Sequence, residues 1–351
     1  MRGRNDGEEF VATPLSSEEL AAHLAGMARV HLAALPTPLE ECPRLGAALG
    51  VRLFVKRDDL TGLAFGGNKA RGAEFRLAAL LAQGTDTVVL AREPDSNNAR
   101  VTIAACRKLG LDVVLIVPEA EPAEWQGSLL IDRLLGADVR FAPGGPDAVA
   151  ATRTATLHEL AARGRHPVDH DIGSAAQELA ALAYVDAALE LHRQCQERAL
   201  APDYLVVVSE GPTQAGLLLG ALLLGSPWQV VGVTYGERSG DQRAAITGLV
   251  GAVARRLGLT VDLDSDAVVS LSDYADPGFK VLTPAASAMI ALAARTEGLL
   301  LDPIYTGKGL AALRGEINRG AIPRGATVLF VHTGGLPALF RYSSQLMANV
   351  P

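Results

Sequence analysis

The sequence predicts an α/β protein of two domains, each a parallel sheet covered by helices, with the small domain inserted in the large one. Three observations lead to this. First, the β-branched runs VRLFVK, DTVVLA, DVVLIV, YLVVVS, QVVGVTY and TVLFVH are apolar along their whole length. Strands with no polar face are buried on both sides, as in parallel sheets. Second, Ala/Leu-rich amphipathic stretches separate them, among them NNARVTIAACRKLG and SAAQELAALAYVDAALELHRQCQ. Strands alternating with helices give a sheet with helical layers. Third, the chain has 351 residues, and domains usually run to roughly 100–200 residues.

In chain order, the first ten or so residues are polar and expected to fray. SSEELAAHLAGM then reads as a helix. Ser16 is its N-cap, and Glu19 three residues later completes a capping box. VRLFVK is the first long strand. A charged turn and the Gly66–Gly67–Asn68 triplet follow it and lead to Lys69. DTVVLA runs into AREPDSNNAR, which opens a helix. DVVLIV continues the same block. The polar stretch from Gly144 to Ala175, with its Pro and His residues, closes that block before a long helix. The expected division is therefore 1–71 and 169–351 for the large domain, with 72–168 as the small one.

Composition excludes several function classes. The net charge is −7 with no basic tract, which argues against nucleic-acid binding. Cys42, Cys106 and Cys195 are the only cysteines and show no CxxC spacing. Neither a metal site nor a disulfide framework is expected. The N-terminus has no apolar signal core, and no apolar run reaches the roughly 20 residues that span a bilayer. Phosphate-binding GxxxxGK[ST] and GxGxxG loops are missing. A soluble cytoplasmic protein acting on a small molecule is the expectation.

Four loops carry the candidate chemistry, and α/β proteins gather ligands beyond the carboxyl ends of strands. The first presents Lys69. The second, AREPDSNNAR, places Ser96 and Asn97 at a helix start, where capping is the ordinary role. The third, SEGPTQAG, follows a strand and opens an apolar helix. Its backbone N–H groups and the Thr213 hydroxyl make either an anion site or a simple cap. The fourth is DPIYTGKG, with Tyr305. His158, His166, His170 and His192 have no ligand spacing and read as solvated, as do Glu178 and Glu190. A lysine, an anion loop and hydroxyl groups together are the parts that pyridoxal phosphate (PLP) needs: a Schiff-base partner, a phosphate cradle and proton carriers.

The ordered pieces KRDDLTGLAFGGNKAR, SNNAR, TQAG, LLDPIYTGKG and HTGGLPALF extend over nearly the whole chain. With them the sequence resembles the D-cysteine desulfhydrase / 1-aminocyclopropane-1-carboxylate deaminase family of PLP-dependent fold type II, the tryptophan synthase β-like group. The resemblance implies that Lys69 carries the cofactor and shuttles protons. It places Asn68 beside Lys69, Ser96 near the substrate, and Asn97 at the pyridine oxygen. Gly211, Pro212 and Thr213 hold the phosphate, with Glu210 at the loop start. Tyr305 packs beside the ring, Thr306 lies near the ring nitrogen, and Thr333 and Gly334 close the far side. It also implies a homodimer.

Thr306 discriminates within that family. The deaminase branch resembles YEGK here, with a carboxylate to keep the ring nitrogen protonated. The desulfhydrase branch resembles YTGK, as this chain reads from Tyr305 to Lys308. The implied activity is β-elimination from a β-substituted amino acid, giving pyruvate, ammonia and the leaving group. Ring-opening deamination, or cofactor binding with altered or lost turnover, are the alternatives. The departures cluster on the substrate side. The family's AGGIQSNHAR is here AREPDSNNAR, its PGYGVPN is PGFKVLT, and its GGSN is DIGSA. Arg92, Asn98, Phe279 and Lys280 are thus the substrate-side candidates. Arg92 and Lys280 are expected to attract an acidic substituent, unless Glu93 and Asp95 neutralise Arg92.

Overall fold

The computed structural model describes residues 9–10, 13–170, 174–236, 241–275 and 277–349. All six long strand runs form strands, and they divide between two sheets. The larger sheet has six strands, in the spatial order Val269–Leu271, Gln229–Val233, Tyr204–Val208, Thr327–Val331, Arg52–Lys56 and Leu39–Glu41. Every pairing is parallel except that of Leu39–Glu41 with Arg52–Lys56. The smaller sheet is wholly parallel, in the order Asp138–Phe141, Asp112–Val117, Thr87–Ala91 and Pro167–Asp169.

Burial on both faces follows the two-residue period of a strand. In the larger sheet Val55, Val206, Val231 and Phe330 face the helices Pro284–Glu297 and Thr306–Asn318. The alternate residues Phe54, Leu205, Val207 and Leu329 face Ser174–Glu197 and Pro212–Leu223. In the smaller sheet Val88, Leu90, Val113 and Leu115 pack against Ala70, Leu77, Val101 and Ile103. Val89, Val114 and Ile116 pack against Val149, Leu157 and Leu160 on the reverse side.

The N-terminal helix runs Ser17–Ala25 with the expected Ser16/Glu19 box: the Ser16 hydroxyl accepts from Glu19 N, and Glu19 accepts from Ser16 N at 2.7 Å. Glu9–Phe10, within the segment expected to fray, pairs in parallel with Leu259–Thr260. Asp171–Gly173, at the expected second boundary, lie outside the described residues. The helix Lys69–Ala82 runs across the 71/72 position and carries residues of the smaller sheet's core. Among the described residues no helix is long and apolar enough to cross a membrane.

Candidate active site

Lys69 is the first residue of a helix, not a loop residue, and Asn68 occupies the cap position. The loop before it is fixed by backbone contacts that only glycine permits. Gly66 has φ +64°, and a Cβ there would stand 2.1 Å from the Asp59 carbonyl. Gly67 has φ +117°, and a Cβ would meet the Thr333 carbonyl at 3.0 Å. The Thr61 hydroxyl accepts from Gly67 N at 2.8 Å and donates to Gly67 O at 2.9 Å. Asn68 N donates to Thr333 O at 3.0 Å. Arg71, on the same helix and 1 % exposed, anchors it from below through Asp58 and Glu190.

Lys69 projects into a cavity of about 480 Å³, a size usual for small-ligand sites. Asn68, Ser96, Asn97, Asn98, Glu210, Gly211, Pro212, Thr213, Tyr305, Thr333, Arg92, Phe279 and Lys280 line it too. Enclosure by protein, reinforced by the Arg76 and Arg92 cations, pushes the Lys69 ammonium down to about 8. A lysine so placed keeps a far larger neutral fraction near physiological pH than an exposed lysine does, and that fraction is available as a nucleophile or base.

The opposite wall is the start of the helix Pro212–Leu223. Its N-cap, Gly211, makes no side-chain cap. Thr213 is not the cap either; its hydroxyl faces Asn68, whose Nδ2 donates to it at 3.2 Å. Ser209 Oγ accepts from Gly211 N and Gln214 N at 3.2 Å each, which leaves the Thr213 N–H and hydroxyl at a helix N-terminus, an arrangement suited to a phosphate. The Glu210 carboxylate is turned to the backbone and accepts from Gly236 N at 2.8 Å and Tyr235 N at 3.2 Å. The third wall is the helix Asn97–Lys108. Ser96 both caps it, accepting from Ala99 N at 3.2 Å, and lines the cavity. The Asn97 carboxamide oxygen accepts from Arg100 at 2.9 Å, which leaves its NH₂ as the remaining donor. Arg100 also donates to the Ala64 carbonyl, so one buried guanidinium ties the Lys69 loop to the Asn97 helix.

Two of the expected site residues, Thr306 and Gly334, do not line the cavity. The Thr306 hydroxyl donates to Asp302 Oδ1 at 2.6 Å and accepts from Asp302 N at 2.8 Å. The Asp302 carboxylate takes the N–H groups of Ile304, Tyr305 and Thr306, closing off the start of that helix. Tyr305 does face the cavity, edge-on to Tyr235 with ring centroids 4.7 Å apart, and 6.2 Å from Phe279. Burial, then the neighbouring Tyr235, Asp302, Glu210 and Asp95, holds its hydroxyl well above the ordinary tyrosine range.

Two solvation expectations are corrected. His170 is buried, with Nδ1 2.9 Å from Arg76, because both face the cavity. Glu190 is largely enclosed and pairs with Lys56 and Arg71, because its helix face packs onto the sheet and not against water. The charges at the substrate side also pair differently from expectation. Glu93 holds Lys280 at 2.8 Å and Asp95 holds Arg341 at 3.0 Å. Arg92 donates to the Ala91 carbonyl at 2.7 Å, and to the Asn98 amide oxygen when that amide is turned toward it.

Arg76 and Tyr235 also line the cavity without being expected from the sequence, and His170 lines it although it reads there as solvated. Arg76 could have been found, since it lies seven residues after Lys69 on one helix, two turns along the same face. Tyr235 follows a strand end as the other loops do. His170 carried no comparable signal.

Comparison with known proteins agrees with this geometry. The family described as pyridoxal-phosphate dependent enzyme matches residues 30–334. The D-cysteine desulfhydrase of Salmonella paratyphi C is 35 % identical over 325 residues, covering 91 % of this chain and 98 % of the relative. The same enzyme of Salmonella newport matches equally. A crystal structure of an ACC deaminase homologue superposes with a TM-score of 0.84 at 31 % identity, covering 94 % of this chain and 98 % of that one. Escherichia coli diaminopropionate ammonia lyase, at 17 % identity and a TM-score of 0.65, shares the fold. The chain belongs to the pyridoxal-phosphate-dependent enzyme family, in its fold type II group.

Proposed function

We propose that the protein is a PLP-dependent lyase that eliminates the β-substituent of an amino acid, as a D-cysteine desulfhydrase does, releasing pyruvate, ammonia and the leaving group. The observation that carries this is the Asn68–Thr213 contact: it sets Lys69 and the start of the helix Pro212–Leu223 against each other across one cavity. When bound, PLP supplies an electron sink that acidifies the substrate α-carbon. The protein supplies the rest. Lys69 carries the cofactor and, with its lowered basicity, takes up the α-proton. Gly211, Pro212 and Thr213 would wrap the phosphate, with the Thr213 N–H and hydroxyl as its donors, since Pro212 has no N–H and Gly211 N donates to Ser209 Oγ. Asn97 offers its NH₂ to the ring oxygen. The Ser96–Asn98 helix start orients the substrate carboxylate, and the Tyr305 hydroxyl stays protonated and serves as a donor.

Thr306 does not decide between the branches, since its hydroxyl is held by the Asp302 carboxylate and it does not line the cavity. Phe279, which lines the cavity and lacks a hydroxyl, favours elimination over ring opening. The 72–168 unit is proposed as the small domain and the rest as the large one, in a cytoplasmic homodimer. Pyruvate release from a panel of D- and L-β-substituted amino acids tests the reading. α-Ketobutyrate from a cyclopropane amino acid would select the deaminase alternative. A bound cofactor with no turnover of any substrate would select the inactive one.

A further inference from the structure

We infer that Glu93, Asp95, Lys280 and Arg341 form a two-point electrostatic clamp that positions the Ser96–Asn98 helix start over the cavity. Glu93 and Asp95 flank Pro94 in the turn between the strand Thr87–Ala91 of the smaller sheet and the helix Asn97–Lys108. Their partners come from elsewhere in the chain. Lys280 lies in the loop before the helix Pro284–Glu297, and Arg341 ends the helix Ala338–Arg341. Glu93 meets Lys280 at 2.8 Å, with Glu119 a further 3.8 Å from the same ammonium. Asp95, with its side chain 4 % exposed, meets Arg341 at 3.0 Å. Glu93, Asp95 and Lys280 line the cavity together with Ser96. The turn is continuous with the catalytic segment, since Ser96 N donates to Glu93 O at 3.0 Å.

The Lys280 side of the clamp is itself held. Lys280 has φ +64°, a left-handed conformation that is uncommon for a residue with a side chain. Such strain persists only where the surroundings enforce it. Here the Tyr342 hydroxyl donates to Lys280 O at 2.7 Å. Behind the loop the buried Lys308 ammonium donates to Gly278 O at 2.7 Å and Ala275 O at 3.3 Å. The loop is thus a fixed anchor, and the Glu93–Asp95 turn is docked onto it. The pairing also changes the specificity expected of Lys280, because its cation is occupied by carboxylates of the protein. The two pairs differ in strength. Glu93–Lys280 is partly exposed and weak on its own, whereas Asp95 is enclosed and depends on Arg341.

The catalytic part of this inference rests on the lyase reading; the positional part does not. Hydrogen exchange of the 92–98 segment in the cofactor-free protein tests the position directly. Lys280→Met is expected to speed exchange there about threefold and Arg341→Met about tenfold or more. Raising salt from about 0.05 M to about 1 M should speed exchange in wild type and change Lys280→Met much less, because the exposed pair is the screened one. Reversing both charges, Glu93→Lys with Lys280→Glu, in a Glu119→Gln background that removes the carboxylate 3.8 Å from residue 280, should bring exchange back to within about twofold of wild type. In the pyruvate assay both single variants should lower kcat with little change in KM, and the reversed pair should recover kcat. Unchanged exchange in both single variants would overturn the clamp, and so would a reversed pair that folds and exchanges as fast as Lys280→Met. If wild type releases no pyruvate from any substrate the lyase reading fails, and the exchange results still decide the clamp.

Discussion

Replacing Arg71 by Met probes how the Lys69 helix is held. The side chain is 1 % exposed and sits between two carboxylates. Its guanidinium donates to Asp58 at 3.0 and 2.8 Å, to Glu190 at 2.9 Å twice, and to the Thr37 hydroxyl at 3.1 Å. Lys56, itself buried, donates to Glu190 as well. Two cations and two anions thus balance below the site. Met fills similar volume but removes one cation and five hydrogen bonds. Asp58 keeps only the Tyr184 hydroxyl at 2.6 Å and the Thr37 hydroxyl at 2.8 Å. Breaking a buried pair in this way costs about 3–5 kcal/mol, a large part of the roughly 5–15 kcal/mol that stabilises a domain. The sign with pH follows. In wild type the Arg71 cation holds Asp58 below the usual carboxylate range against its burial, and Arg71 and Lys56 do the same for Glu190. Their contribution is present above the ordinary carboxylate pKa of about 4 and is lost as pH falls through the lowered folded values. In the variant burial prevails and the Asp58 pKa rises, so the deficit is greatest near pH 7 and shrinks as pH falls toward the unfolded value. Urea unfolding followed by circular dichroism at about pH 7 and about pH 5 measures both. A loss below about 1 kcal/mol at pH 7, or an equal loss at the two pH values, would refute the reasoning.

Three further outcomes are expected. Lys69→Ala should keep the circular dichroism of the wild type and lose the borohydride-reducible cofactor adduct; an adduct that survives places the lysine elsewhere. Thr213→Val should weaken cofactor affinity by about 1.5–3 kcal/mol, on the order of 10- to 150-fold in Kd, with little change in the Tm of the cofactor-free protein; an absorbance titration reads this. Cofactor capture by the cofactor-free protein should quicken about tenfold per pH unit up to the Lys69 pKa of about 8 and level off above it, because only the neutral amine reacts. Arg76→Leu removes a facing cation and should move the break upward, and a wild-type break near 10 would contradict the assigned environment.

Much of the fold was legible because both sheets are parallel but for one edge strand. A strand covered on both faces must be apolar at every position, so Tyr204–Val208 and Thr327–Val331 stand out as unbroken β-branched runs. The strands that escaped notice are those with weaker coverage. Leu39–Glu41 is an antiparallel edge with two acidic residues. Asp138–Phe141 and Val269–Leu271 lie at sheet edges and are only partly buried, and Pro167–Asp169 is a short edge begun by proline. An edge strand has water on one side, so its composition carries less of the hydrophobic signal.

The site divides in the same way. Residues whose role is fixed by backbone geometry were readable: Gly66 and Gly67 because no Cβ fits, and Ser96 because a helix start wants a hydroxyl. Residues whose role depends on which distant segment they meet were not. Glu93 and Lys280 are separated by 187 positions, and nothing local in either segment tells Glu93 to choose Lys280 over the adjacent Arg92. Thr306 fails for the opposite reason. The family resemblance implies a hydroxyl near the ring nitrogen, yet Asp302, four residues earlier, captures it on both its donor and acceptor sides. The cations therefore sort into two groups. Lys280 and Arg341 are committed to docking one segment on another. Arg76 and Arg92 face Lys69 closely enough to lower its basicity. On the clamp inferred above, the substitutions around Ser96 bear on how the helix Asn97–Lys108 is held, and the proposed phosphate cradle at 211–213 lies apart from them.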